Sequence, residues 1–231
     1  MSSNQRQRTL EAALRIAAKD LRIELRTREI TVSTGLFAIL VVVLTSISFY
    51  IDELVARRIA PGVLWIAIAF SGVLAIGRTW QREREQDAMR GLLLAPIPRP
   101  AIFVGKAIGT LAFLLTIELA VVPLVAVLFH VDLLAILPLL SAVLVLGTLG
   151  FVLTGTLFGA MTVRTQSRDL MLSVVVFPLV TPALLAGVVA TREILGGGPV
   201  AETFAWLRVL GAYDLLVGAC GWFLFGPLVS D

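Results

Sequence analysis

RTWQREREQDAMRGLLLAPIPRPAIFVGK, residues 78–106, is the longest polar interruption in an otherwise apolar chain. Apolar runs on both sides of it are long enough to cross a bilayer. It carries charges of both signs at helical spacing, then Leu92, Leu93 and Leu94, then Pro96 and Pro98. Arg82 and Gln86, like Glu83 and Asp87, stand four apart and share faces of a helix. The pattern predicts a helix over 80–90 that lies along the membrane surface. Its acids can meet a basic groove on a partner, and the leucines after it can anchor it to the bundle. The prolines end it before the next span. A solvated connector with ordinary charge pairs fits the same residues equally well.

The surroundings set the class. The chain has 231 residues, 58% of them hydrophobic, where soluble domains hold about 45–50%. Several runs reach the roughly 20 residues that a helix needs to cross the bilayer core. Continuous apolar runs, without alternation, exclude a transmembrane barrel. The fold class is all-α polytopic membrane protein with six transmembrane helices, at about 32–51, 59–77, 107–129, 133–161, 170–190 and 208–229. Residues 78–100 form the polar segment and 191–207 a segment on the other side. No loop is long enough for a second domain, so 1–231 reads as one unit.

Residues 9–30 predict an interfacial amphipathic helix. Leu10, Leu14, Ala17, Leu21 and Leu25 make one stripe, and Arg15, Lys19, Arg22 and Arg26 another. Such a helix lies in the headgroup region with its basic stems snorkelling. The polar start does not resemble a cleaved signal peptide, whose apolar core comes sooner.

Positive charge sets orientation. With the N-terminus inside, fifteen of the nineteen Lys and Arg lie on the inner side. That asymmetry places both termini in the cytoplasm. Tyr50, Trp206 and Tyr213 fall near outer ends and Trp80 near an inner one. The basic balance reads as topology, with no nucleic-acid partner.

Motifs exclude more than they assign. A phosphate loop needs GxxxxGK[ST]. Lys106 follows Gly105, but no glycine stands five positions earlier and Ala107 follows. ATP-driven work would need an ATPase on another chain. The single cysteine, Cys220, excludes an internal disulfide and the CxxC redox and haem-attachment motifs. No HExxH and no nucleophile-plus-base set appears, so no catalytic residue is expected, and no metal site.

Glu118, inside the third run, is an intramembrane functional candidate, because an ionisable group there is costly. Its ordinary alternative is a carboxyl packed against a neighbouring helix. Asp214 is a second candidate, placed near the outer start of the last span. His130 is the only histidine, and haem iron accepts an axial histidine. Standing alone in a short turn, it is not expected to bind haem. Gly105–Gly109 and Gly155–Gly159 are spaced for close helix contact. Pro178 and Pro182 share a face of the fifth span. All are read as packing.

The stretch RERExxxMRGLLLAPIPRxAIFVGK resembles the loop of ABC-2-type permeases. Upstream, Ala60-Pro61-Gly62-Val63-Leu64-Trp65-Ile66-Ala67 narrows the resemblance to the CcmB family, over about residues 10–230. That family is the membrane subunit of the ABC system for cytochrome c maturation. The resemblance implies an ABC-2-type transmembrane domain whose N-terminal helix is an elbow helix. Arg82, Glu83, Glu85, Asp87, Met89 and Leu92 would then form a coupling helix seated in the ATPase. Residues 191–207 would be a pair of short outer helices. It implies a cell inner membrane location, haem as possible substrate and ATP through a partner. The implied partners are a CcmA-like ATPase, CcmC-like and CcmD-like membrane proteins, a CcmE-like haem chaperone, lipid, and possibly a second copy of the chain. Two alternatives stay open: a membrane scaffold that transports nothing, and an exporter of another amphipathic substrate.

Overall fold

The computed structural model describes residues 3–49, 52–85, 88–132, 136–162 and 168–230. Among the described residues every regular element is a helix: α1 (Ser3–Thr27), α2 (Glu29–Ser48), α3 (Glu53–Glu85), α4 (Ala88–Leu94), α5 (Arg99–Leu128), α6 (Leu137–Thr162), α7 (Arg168–Leu195) and α8 (Val200–Ser230). Six of these, α2, α3, α5, α6, α7 and α8, are long and apolar enough to cross a membrane. The chain is a multi-pass helical membrane protein.

The central helix is α3. It packs against α2, α5, α6 and α7, and 67% of its apolar stretch is buried, against 28% for α2 and α8. Between lipid-bathed helices the hydrophobic effect offers little drive, so close packing must hold them. Here large side chains enter gaps left by glycine. Trp65 lies against Gly147 of α6 and Gly187 of α7. Its Nε1–H donates to Thr191 Oγ1 at 2.9 Å. Ile76 and Trp80 lie against Gly155 and Gly159 of α6, Phe151 against Gly72, and Phe103 against Gly221. The Gly155–Gly159 spacing is thus a helix contact. Trp80 and Tyr213, expected near span ends, are packing residues. Trp80 is buried, and the Tyr213 hydroxyl donates to Leu179 O at 2.7 Å, joining α8 to α7.

Two boundaries differ from expectation. The helix that carries the second span does not end near Gly77. α3 runs unbroken for 33 residues, about 50 Å at 1.5 Å per residue, and overshoots a bilayer core of about 30 Å. Nothing between Arg78 and Glu85 breaks a helix, and Gln, Arg and Glu favour one. Among the described residues, only the seven of α4 form a separate helix in the polar segment. Likewise 191–207 does not fold as two separate short helices. α7 continues to Leu195 and α8 starts at Val200. Gly197, at φ 69°, ends α7. The Gly198 N–H bonds Glu193 O at 2.9 Å and the Gly197 N–H bonds Ile194 O at 3.3 Å. Both bonds belong to the glycine-terminated helix end.

Candidate functional site

Where α3 overshoots, it meets α1 and α5 around a buried charge. α1 has three faces rather than two. Thr9, Ala13, Ile16, Ala17, Asp20 and Glu24 are buried, at spacings of three and four that make one stripe. Leu10, Leu14 and Leu25 form a second, exposed stripe, available to lipid. Arg15, Arg22 and Arg26 form the exposed basic stripe. The seat is therefore small and acidic, and of the predicted leucine stripe only Ala17 belongs to it.

Gly105 and Gly109 of α5 make that seat possible. A Cβ on Gly105 would stand 2.7 Å from Ala13 O and 2.8 Å from Ile16 Cβ. One on Gly109 would lie 3.5 Å from Asp20 Cβ, ordinary contact. Gly105 is thus the position where α1 and α5 touch backbone to backbone.

Lys106 follows and ties the contact. It is only 1% exposed. Its ammonium donates to Asp20 Oδ2 of α1 at 2.7 Å and to Glu83 Oε1 of α3. Lys19 Nζ stands 3.2 Å from Asp20 Oδ1 and 3.7 Å from Glu83 Oε1. One turn further, Arg82 Nη2 lies 3.1 Å from Glu24 Oε2 and 3.7 Å from Glu29 Oε2. Glu24 Oε1 accepts the Thr31 N–H at 2.7 Å, which serves a free donor in the first turn of α2. The chain turns from α1 to α2 at Arg28, a non-glycine residue at φ 53°. Taking an ammonium and two carboxylates out of water costs several kcal/mol per ion, and only good geometry offsets it. Two lysines facing two acids supply that, while Glu83 Oε2 has no hydrogen-bond partner among the described residues.

The predicted coupling residues therefore divide. Arg82 and Glu83 turn inward to α1 and α5, so Glu83 does not face a partner groove. Met89 is buried and Leu92 half-buried against the core. Glu85 is exposed and accepts from Gln81 Nε2 at 2.8 Å. Asp87 lies outside the described residues. Leu94, at 80% exposure, is the most exposed large apolar side chain among the described residues. Arg99 Nη1 donates to Leu93 O at 2.9 Å, closing the α4–α5 turn.

Neither intramembrane acid joins this cluster. Glu118 is buried in α5 and accepts from Thr148 Oγ1 of α6, so it has a partner after all. Asp214 does not sit at the start of its span. It lies about 21 Å along α8 from Val200 at 1.5 Å per residue, buried against Gly150 of α6. Its two oxygens have no partner among the described residues. His130 is exposed at φ 54°. Val131 N–H bonds Ala126 O at 2.9 Å, so His130 is the left-handed residue that ends α5. No group of three or more metal-ligating side chains occurs among the described residues.

Sequence reasoning missed Lys106, Asp20 and Glu24. The signals were there: one lysine inside an apolar run, just after a glycine, and two acids four apart beside a leucine stripe.

Comparison with known proteins places the whole assembly. A family model described as CcmB protein matches residues 11–226. A heme exporter protein B from Rhodobacter capsulatus is 33% identical over 204 residues, covering 85% of this chain and 90% of that protein. One from Bradyrhizobium diazoefficiens is 27% identical over 203 residues, covering 87% and 90%. One from Pseudomonas aeruginosa is 24% identical over 200 residues, covering 87% and 89%. The match runs through α1, the charge cluster and all six spans, and the chain belongs to the CcmB family.

Proposed function

We propose that this chain is the membrane subunit of an ATP-driven haem exporter serving cytochrome c maturation. Its similarity, along nearly its whole length, to proteins named heme exporter protein B supports the substrate. The charge-rich end faces the cytoplasm, since most lysines and arginines cluster there, and the membrane is the cell inner membrane. A partner ATPase, CcmA-like, supplies ATP hydrolysis. CcmC-like and CcmD-like membrane proteins, a CcmE-like chaperone and a second copy complete the assembly.

The observation that carries the coupling role is the cluster around Lys106. It fastens α1, α3 and α5 to one another directly beneath the polar segment. A push on α4 and the end of α3 therefore moves three helices together. The surface that receives the push is the exposed part of that segment, Glu85 and Leu94, with Glu83 acting behind it as an internal tie. Release of a haem-loaded chaperone on the far side would follow from this movement.

The test uses Glu85→Lys with Leu94→Glu, purified with the ATPase. The expected result is loss of the co-purified ATPase and of c-type cytochromes at normal membrane levels of this chain. Normal assembly, ATP hydrolysis and cytochrome yield would put the scaffold reading first. Reversal of Glu83 is a poor probe, because it would set a third lysine against Lys19 and buried Lys106.

A further inference from the structure

Arg8, Arg15, Arg22 and Arg26 are exposed on α1. At about 100° per residue all four fall within roughly 40° of one another, about a third of a turn from the exposed leucines and on the far side from the Gly105 seat. The ion pairs among the described residues leave these four without an acidic partner. Two of the acids of α1 lie elsewhere: Asp20 and Glu24 are in the buried seat, held by Lys106 and Arg82. Glu11 alone stands beside the arginines, and residues 1–6, MSSNQR, hold no acid. Four positive charges against one negative leave an excess of three on this face. Its N-terminal half borders a hollow of about 290 Å³ between α1 and the turn into α5. Arg8, Glu11, Arg15 and Lys19 surround the hollow, with Ile16 and Ile97 as its apolar wall. Lys19 is already engaged by Asp20 and Glu83, so the two arginines are the cations open to a ligand there.

We propose that this face of α1 binds the headgroups of acidic phospholipids in the leaflet next to the charge cluster, with one phosphate in the hollow and others along Arg22 and Arg26. Charge complementarity names the class, because clustered Lys and Arg at a membrane surface draw anionic lipid. Guanidinium planes bind phosphate oxygens in pairs. The neighbouring leucines name the source. Leu10, Leu14 and Leu25 are 59%, 58% and 75% exposed, and lipid tails are what such a stripe meets at a membrane. Arginine stems a third of a turn away then end at the level of the phosphates. A partner helix, about 10 Å across, is too wide for the hollow, whereas a phosphate fits. The lipid pulls outward, opposite to the buried pull of Lys106 on Asp20. α1 is therefore held from both sides, by headgroups on one and by α3 and α5 on the other. Salt separates the two, since it screens exposed charges far more than buried ones.

The test is thermal unfolding of the full chain in dodecyl maltoside micelles supplemented with phosphatidylglycerol or with phosphatidylcholine. Wild type is expected to melt at least about 3 °C higher with phosphatidylglycerol, and to lose most of that difference in about 1 M NaCl. The variant Arg8→Gln, Arg15→Gln, Arg22→Gln, Arg26→Gln should abolish the difference and leave the midpoint in phosphatidylcholine unchanged. Glutamine keeps the helix propensity and all four sites are exposed, so the variant should fold. Lysine at the same four positions should keep most of the difference. Arg58→Gln with Arg192→Gln, at the other end of the bundle, should keep all of it. Equal midpoints in the two lipids for wild type, or a difference that survives the four glutamines, would overturn the proposal. So would a difference removed by the Arg58 and Arg192 changes. Inorganic phosphate added to phosphatidylcholine micelles should give no shift. A shift equal to that of phosphatidylglycerol would assign the face to free anions and sink the lipid reading. No lipid preference in wild type, together with loss of the co-purified ATPase from the glutamine variant, would assign the face to an acidic protein instead.

Discussion

Lys106 shows how much one side chain can settle at a membrane surface. Replacing it with methionine keeps its length but leaves buried Asp20 and Glu83 with only the half-exposed Lys19 beside them. The expected loss is about 3–5 kcal/mol, seen as a lower midpoint in thermal unfolding of the purified protein. The triple variant Asp20→Asn, Glu83→Gln, Lys106→Met removes all three charges together and should recover most of that loss, because a buried ion pair gains little over well-packed neutral groups. A triple variant as unstable as Lys106→Met would show that the charges are not the source. His130 makes the opposite point. It holds a left-handed conformation that costs a side-chain-bearing residue about 1–2 kcal/mol. His130→Gly should therefore stabilise the protein by about 1 kcal/mol and leave cytochrome yield unchanged. Loss of cytochromes with a normal membrane level would give this histidine a chemical role.

At the scale of elements, α1 is held by shape as well as charge. Gly105→Leu would drive a side chain into the Ala13 carbonyl and Ile16. Overpacking of this kind costs about 1–3 kcal/mol. The expected result is faster protease cleavage within α1 and a lower melting midpoint. Gly35→Ala, where a Cβ meets nothing within 4 Å, should change neither. Equal behaviour of the two variants would count against a tight α1–α5 seat. The spans were legible because crossing a bilayer depends on run length, which any window of sequence displays. The α1 leucine stripe was legible too, being local and periodic. Its acidic seat was not, because Asp20 gains meaning only from Lys106, 86 residues away. The same distance hid the inward turn of Glu83. The end of α3 was misjudged for a different reason. A separate surface helix was expected over 80–90, whereas Gln, Arg and Glu are good helix formers and carry α3 straight on to Glu85. The outer segment was expected, from the resemblance, to hold a pair of short helices, whereas residues 196–199 suffice to turn the chain between two long ones.

Over the whole molecule, the six spans among the described residues and the proposed orientation predict both termini in the cytoplasm. Reporter fusions at Met1 and Asp231 should both report cytoplasm. A fusion in the Gly196–Pro199 turn should report the other side, and any other pattern would reverse the proposed coupling. The Lys106 cluster has a further consequence for biosynthesis. α1 leaves the ribosome first, carrying Asp20 and Glu24, and has nothing to seat against. It must wait at the headgroups, held by its leucines and arginines, while α2 and α3 insert. Arg82 of α3 can meet Glu24 first, but only when α5 arrives do Gly105 and Lys106 supply the groove and the buried partner of Asp20. Fastening of the N-terminal helix is therefore a late event that reports completion of the first three spans. A chain stalled before α5 leaves Asp20 and Glu83 without the lysine that ties α1 to α3, a difference between the unfinished protein and the finished one.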